Sequence, residues 1–407
     1  VGSAAISAVS LVDSINVLVI QAFSALAAGG AIVCAQYIGQ RNKEKANESA
    51  RQVLFIITAI SVAVSLFCLV FQKPLLRLIF GSVEEKVMRA SEIYFFYTAL
   101  SFPFIAAYDS AASIFRAQDN TRGPMTISMI SNVMNIAGNA IMIWAFHMGV
   151  AGAALSTLIS RIFCAVVVLI QLRKEREGQE IVVRDYFKIR PNWSMIKRIL
   201  GIGIPSGVEN SMFQLGKIMV LSMITQFGTA SIAANAVSNT IAVFQTLPGM
   251  AIGNAVLTVS AQCAGAGDYE QVKYYAKKLH IIIYGLMIVC CLGVIAALPA
   301  VLHVYSLSAE ATAMTEDIIV YHGICCMIIW PIAFNLPNVL RASNDVAFCM
   351  ILSILSMWIC RIGMSYVLGV RMGFGVFGVW VAMTMDWVVR AIFFVLRYRS
   401  GKWQHQT

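Results

Sequence analysis

The sequence predicts an all-α protein that crosses a lipid bilayer about eleven times and consists of two homologous six-helix bundles, the first lacking its opening helix. Composition, charge-free tracts and an internal repeat predict it. Of the 407 residues, 59% are hydrophobic and 12% charged, and the mean hydropathy is +0.77. An average soluble domain carries roughly 25% charge, so no soluble fold would hide this much apolar surface. The stretches Ile218 to Gly267 and Gly123 to Ser160 contain no Asp, Glu, Lys or Arg. A membrane helix needs about 20 apolar residues, so each stretch holds most of two spans and a tight turn.

Spans are expected near residues 5-38, 50-72, 90-115, 124-146, 150-172, 200-226, 230-263, 275-302, 313-340, 346-369 and 374-397. Alternate connections then differ sharply in basic content. One set carries Arg41, Lys43, Lys45 and Arg51, then Arg116 and Arg122, the basic stretch from Arg173 to Arg198, Lys273, Lys277 and Lys278, Arg341, and Arg397, Arg399 and Lys402. The opposite set has only Lys73, Arg77, Lys86, Arg89 and Arg371. By the positive-inside rule the first set and the C-terminus face the cytoplasm of a plasma-membrane protein. The net charge of +10 is therefore a topology signal and argues against a nucleic-acid partner. The ten cysteines all fall inside expected spans, without C-x-x-C, and read as small apolar packing residues.

Three motif pairs repeat at nearly one spacing. Ala35-Gln36-x-x-Gly39 returns as Ala261-Gln262-x-x-Gly265 (offset 226), Arg116-Ala117 as Arg341-Ala342 (offset 225), and Gly149-x-x-Gly152 as Gly375-x-x-Gly378 (offset 226). Such constancy over more than a hundred residues is what duplication of a bundle produces. It divides the chain into a first lobe at 1-173, a cytoplasmic linker at 174-199 and a second lobe at 200-407. The second half holds six spans and the first five, so a helix is expected before Val1. The polar, Pro-containing linker is expected to let the halves move relative to each other.

The tract from Gly30 to Gly39, the span end Arg116-Ala117-Gln118-Asp119-Asn120, the stretch from Asn135-Ile136 to Gly149-Val150-Ala151-Gly152-Ala153-Ala154, and Gly203-Ile204-Pro205 resemble the multidrug and toxic compound extrusion (MATE) family over essentially the whole chain. The resemblance implies a twelve-helix, two-lobed antiporter, acting as a monomer, that exports small organic, often cationic, compounds in exchange for Na⁺ or H⁺. It implies no enzymatic activity and no cofactor beyond the coupling ion. The alternative is a lipid-linked glycan flippase of related architecture, which would need a more strongly cationic cavity for pyrophosphate.

Ionisable groups inside a span cost about 2.5 to 3.5 kcal/mol even on lenient scales, so each needs a partner, water or a function. The candidates are Asp13, Asp109, Arg161, Glu209, Lys217, Arg361, Asp386 and Arg390. Glu209 is the leading one. It has no basic residue three or four positions away, and Lys217 lies about 12 Å further along the helix. A lone carboxylate facing a cavity could hold a proton or Na⁺ at one stage and a cationic compound at another. It also looks like an acid that the family uses in its seventh helix; the competing reading is an ion pair between helices. Asp386 has Arg390 at i+4, which favours an intrahelical pair. Asp13 and Asp109 are cavity candidates of equal standing with structural roles.

Many family members carry an acid in a fifth-helix pattern like Asn-Ile-x-x-Asp-Pro; this chain reads Asn135-Ile136-Ala137-Gly138-Asn139-Ala140. Asn139 cannot release a proton. With Asn132 and Asn135 it can still form a hydrogen-bonding face. Pro103, Pro248, Pro331 and Pro337 mark expected helix breaks. Gly373-x-Gly375-x-x-Gly378 has no preceding soluble strand and reads as close packing, not a dinucleotide site. His322 reads as a hydrogen-bonded core histidine, and the chain has no P-loop and no H-E-x-x-H.

Overall fold

The computed structural model describes residues 3-81, 84-174 and 179-405; residues 175-178 of the expected linker and the first two residues of the first lobe lie outside the described residues. Its helices are α1 (Ser3–Gly39), α2 (Lys43–Val70), α3 (Gln72–Phe80), α4 (Glu85–Leu100), α5 (Phe102–Ala117), α6 (Arg122–Ala140), α7 (Gly149–Arg173), α8 (Trp193–Ile224), α9 (Thr229–Gly265), α10 (Tyr269–Tyr305), α11 (Ala309–Ile328), α12 (Trp330–Phe334), α13 (Leu336–Ala342), α14 (Val346–Ser356) and α15 (Gly375–Arg399). Among the described residues eight helices are long and apolar enough to cross a membrane, nine if α11 with α12–α13 counts as one span bent by 67°. The two remaining expected spans are helical too. The one at 90-115 is split between α4 and α5 at Ser101, next to Pro103, and the one at 200-226 is α8, whose middle is interrupted by Ser206, Glu209, Asn210, Ser211 and Gln214.

The chain forms two compact units, Val1–Gly207 and Val208–Thr407. The boundary falls inside α8, a few residues beyond the start of the expected second lobe. In the first unit the early turns of α8 lie against α1. A Cβ on Gly29 would sit 2.6 Å from the backbone nitrogen of Gly203, so only glycine permits that approach of two helix backbones. Arg198 anchors the same region, donating to the Tyr37 hydroxyl (2.8 Å) and to Gln36 Oε1 (2.7 Å).

The described part of the linker beyond residue 178 is fastened to the first unit. Its backbone docks on the first unit: Glu180 and Ile181 N–H donate to Gln118 Oε1 (2.9 and 2.8 Å), and Val182 N–H donates to Asn47 Oδ1 (2.8 Å). Gln52 brackets the chain further on, donating to Arg190 O (2.8 Å) and accepting from Asn192 N–H (3.0 Å). Ile181 and Val183 are fully buried. Two buried aliphatic residues and a set of satisfied backbone groups outweigh the flexibility that composition suggests.

The duplication is written into the backbone. Left-handed residues recur as pairs one repeat apart: Arg41 and Gly267, Gly81 and Ser306, Asp119 and Asn344, His147 and Gly373, Gly149 and Gly375. Helix starts match likewise. The Asn42 side chain caps the Lys45 N–H, and the Asp268 side chain caps the Gln271 N–H. A tertiary contact repeats as well: Ser131 Oγ donates to Ser160 O (3.1 Å), and Ser356 Oγ to Asp386 O (3.3 Å).

The offset changes within one helix. It is 225 at Ser131 and Ser356 and 226 at His147 and Gly373, so the second unit holds one extra residue between them. After α6 the first unit has one widened π-type segment, Ile141–Ala145; after α14 the second has two, Met357–Gly363 and Tyr366–Arg371. A π-type turn takes up one more residue than an α-turn, so the additional segment absorbs the insertion. Arg361 lies in it.

Apolar side chains cover much of the outside, including Leu78, Trp144 and Val289 at 83%, 76% and 70% exposure, as lipid-facing helices require. Inside the second unit, Trp330, Trp387, Phe394 and Trp403 form the core. A bidentate pair lies beside it: Arg397 Nε and Nη2 donate to Asp345 Oδ2 (2.7 Å) and Oδ1 (3.0 Å). The carboxylate is 2% exposed, so removing its only cation within 4 Å among the described residues strands a buried charge. Arg397→Ala is therefore expected to cost about 3 kcal/mol, read as a lower melting temperature in detergent. Arg89→Ala removes a pair with both side chains more than three-quarters exposed and should not change melting measurably. The same assay separates two glycines. A Cβ on Gly378 would lie 2.9 Å from the Leu368 carbonyl carbon, whereas one on Gly201 meets nothing within 4 Å. Gly378→Ala is expected to lose about 1–3 kcal/mol and Gly201→Ala to lose nothing.

Candidate functional site

The second unit concentrates charge along one stripe of α8. Glu209, Phe213, Lys217, Leu221 and Ile224 recur at three- and four-residue spacing, so they share a helix face. That face lines two cavities within the unit. The smaller, of about 230 Å³, is bounded by Glu209, Phe213, Phe334, Arg341, Ser353 and Arg390. The larger, of about 330 Å³, is bounded by Lys217, Leu221, Asn235, Asn239, Arg361 and Trp380 among others.

Glu209 is not the lone carboxylate expected from its own helix. Arg341 Nη2 donates to both of its oxygens, at 2.7 and 2.9 Å. Arg341 Nη1 donates to Asn338 Oδ1 (3.0 Å), whose amide in turn donates to Gly253 O (3.2 Å). The pair is mostly enclosed, with side-chain exposures of 12% for Glu209 and 20% for Arg341. A search confined to i±3 and i±4 could not find a partner 132 residues away. In sequence Arg341 reads as a cytoplasmic span-end cation, but the 67° bend before Trp330 turns α12–α13 and presents it to α8. A Na⁺ at Glu209 would have to displace a guanidinium.

Asp386 and Arg390 form the pair that their spacing suggests, Nε to Oδ1 at 2.9 Å. Ser356 Oγ also donates to Asp386 Oδ1, and Arg390 Nη2 donates to Ser353 O (3.1 Å). Asp386 is fully buried and lines neither cavity: it holds Arg390, and Arg390 is the member that reaches the smaller cavity.

Phe213 gathers the remaining charge. Lys217 Nζ and the guanidinium carbons of Arg361 and Arg390 lie 4.9, 5.1 and 5.8 Å from its ring centroid. Each is within cation–π range, so a ring that lines the smaller cavity also touches both cations of the larger one. Phe213 carries no charge and no hydrogen-bonding group, so nothing in the sequence singles it out. Its i+4 place between Glu209 and Lys217 is the one available signal.

The first unit holds a different set. Asp13 accepts from the Tyr94 hydroxyl (3.1 Å) and from Asn16 Nδ2 (3.3 Å). Asn139 Nδ2 donates to Asn135 Oδ1 (3.3 Å), and Asn135 Nδ2 donates to Thr157 Oγ1 (3.2 Å). Asn139 Oδ1 is buried with no partner among the described residues, whereas Asn132 is exposed and outside this chain of bonds. Asp109 is half-buried on α5 and makes no ion pair within 4 Å among the described residues. Arg161 donates to Ser101 Oγ (2.7 Å) at the α4–α5 break. His322 is a core residue, 2.5 Å from Gln245 Oε1 and edge-on to Trp380 and Trp387. Gly373 and Gly375 have left-handed backbone at the start of α15, so the G-x-G-x-x-G string serves a turn and close packing.

The MatE family model matches residues 1–141 and 205–367. The chain is 26% identical to the uncharacterized transporter YisQ of Bacillus subtilis, over 98% of this chain and 87% of YisQ. It is 24% identical to the probable multidrug resistance protein NorM of Thermotoga maritima, over 98% of this chain and 86% of that one. A solved outward-facing MATE family multidrug resistance transporter superposes with a TM-score of 0.88 at 20% identity, covering 98% of this chain and 88% of its own. These relatives are described as transporters, several of them multidrug resistance proteins, and none as a glycan flippase. The match through most of both units, the all-helical fold and the apolar spans together make the chain a member of the MatE family of multi-pass membrane transporters.

Proposed function

We propose that the protein is a secondary antiporter that exports small organic compounds across the plasma membrane in exchange for Na⁺ or H⁺. The relatives named as multidrug resistance proteins support the export of organic compounds. The observation that carries the exchange mechanism is the Glu209–Arg341 pair on the wall of a cavity.

Antiport needs a group that two ligands want and cannot share. Glu209 meets the requirement through its partner. Neutralising the carboxylate with a proton, or occupying it with Na⁺, removes the attraction that holds Arg341, so the ion and the pair compete for the same two oxygens. A cationic compound competes in the same way. In an outward-open state, high external Na⁺ or low external pH fills Glu209 and expels the compound; in an inward-open state, where that drive is absent, the compound rebinds. The direction of the ion gradient then sets the direction of export. The Asp386–Arg390 pair keeps a second cation beside the cavity and needs no titration of its own in this scheme.

The test is efflux of a fluorescent organic cation from proteoliposomes under imposed Na⁺ or pH gradients. Glu209→Gln is expected to reduce gradient-driven efflux at least tenfold while the variant still inserts and melts cooperatively. Unchanged efflux would remove Glu209 from the exchange, and efflux indifferent to both gradients would count against antiport altogether. The orientation is checked separately. A fluorescent protein fused after Thr407 should fluoresce and an alkaline phosphatase fused there should be inactive, because the basic end of α15 belongs on the cytoplasmic side.

A further inference from the structure

The larger cavity of the second unit differs in electrical character from the Glu209 site. Its charged lining residues are Lys217 and Arg361, and both are cations. Neither forms an ion pair within 4 Å among the described residues, in contrast to Arg341, Arg390 and Arg397 of the same unit. What they have instead is the face of Phe213, at 4.9 and 5.1 Å. A cation–π contact is worth about 0.5 to 2 kcal/mol and does not offset the cost of holding two like charges within the membrane-spanning part of the protein. The cavity therefore has an unmet demand for negative charge.

The repeat offers one comparison with the first unit. The acidic Asp13 of α1 has Asn239 as its counterpart on α9, and Asn239 lines the cavity. An acid has become neutral, which moves the second unit toward positive charge, and the added π-type segment carries Arg361. The rest of the lining suits an organic body: Trp380, Val220, Leu221, Ile224, Val243 and Met383. The indole N–H of Trp380 is already used, donating to Asn235 Oδ1 (3.0 Å), so the ring offers its apolar surface in a fixed orientation. At about 330 Å³ the space lies at the lower end of the range for small-molecule sites.

We propose that this cavity is an anion-accepting subsite, in which Lys217 and Arg361 bind the acidic group of an amphiphilic organic molecule and the Trp380 side binds its apolar body. A carboxylate, sulfonate or phosphate on an aromatic or aliphatic frame has the required chemistry, whether in a free organic acid or an anionic lipid. The proposal deepens the transport reading by naming a substrate class, and rests on it only for the claim that the bound acid is cargo. Because Phe213 lies between Lys217 and Glu209 on the same helix face, a zwitterion could address both sites.

The experiment is equilibrium binding to the purified full-length protein, with no ion gradient, by titration calorimetry. The probes are naphthalene-2-sulfonate and the matched cation naphthalene-2-trimethylammonium. The sulfonate is expected to bind, and Lys217→Gln with Arg361→Gln to weaken it at least tenfold while leaving the cation within threefold of wild type. Lys217→Arg should retain sulfonate binding within threefold. If the double variant does not melt cooperatively, Lys217→Gln alone, at an exposed side chain, carries the test with an expected loss of at least threefold. Absence of sulfonate binding, or equal binding by the neutralised variant, overturns the subsite. Repeating the titration with added phosphatidylglycerol separates the sources: competition identifies an anionic lipid as an occupant, and its absence a free organic acid. Failure here with intact Glu209-dependent exchange would remove only the subsite, whereas sulfonate binding without gradient-dependent efflux would remove the antiport reading.

Discussion

A charge inside the hydrocarbon must be solvated by the protein that carries it, and the second unit is arranged around that requirement. Glu209 and Arg341, and Asp386 and Arg390, each satisfy it by pairing, and Asp345 and Arg397 pair at the helix ends. The pairs differ in what surrounds them. Asp386 is sealed by Ser356 and Arg390, and Asp345 by a bidentate arginine, whereas Glu209 and Arg341 lie against open space. Enclosure makes a pair a structural clamp; a cavity beside it makes the pair exchangeable, because a competing ion can arrive without unfolding anything.

Much of the fold was legible from the sequence because its signals are additive. Eleven apolar tracts, alternating basic connections and three motif pairs each constrain the same topology, and every expected span is helical, with α3 the one α-helix among the described residues that no span anticipated. The repeat was underestimated by its sequence motifs. Only a few residues are shared between halves, yet Arg41 and Gly267, or His147 and Gly373, take positive φ with different side chains. The turn geometry follows from where the helices must stop, and several side chains tolerate it.

The site was legible by position and illegible by partnership. Rarity of charge in the spans pointed to Glu209, Lys217, Asp386, Asp13 and Asp109, but rarity says nothing about what lies across the bundle. The i,i+4 spacing exposed Arg390 as the partner of Asp386; no local spacing could expose Arg341 as the partner of Glu209. The linker shows the same limit. Its composition gives no sign that Gln118, Asn47 and Gln52, all distant in sequence, fasten the backbone of its described part.

The extra residue in the π-type segment at Met357–Gly363 bears on how twin lobes come to differ. Adding a residue to an α-helix would swing every later side chain by about 100°, spoiling the packing of the following turns. Confining the surplus to one widened coil leaves the loops and the glycine contacts beyond it in register with their twins, as the matched settings of Gly152 and Gly378 show. A single inserted codon can thus re-aim a few interior side chains of one half alone, which gives a duplicated gene a way to specialise its chambers separately without redrawing the scaffold.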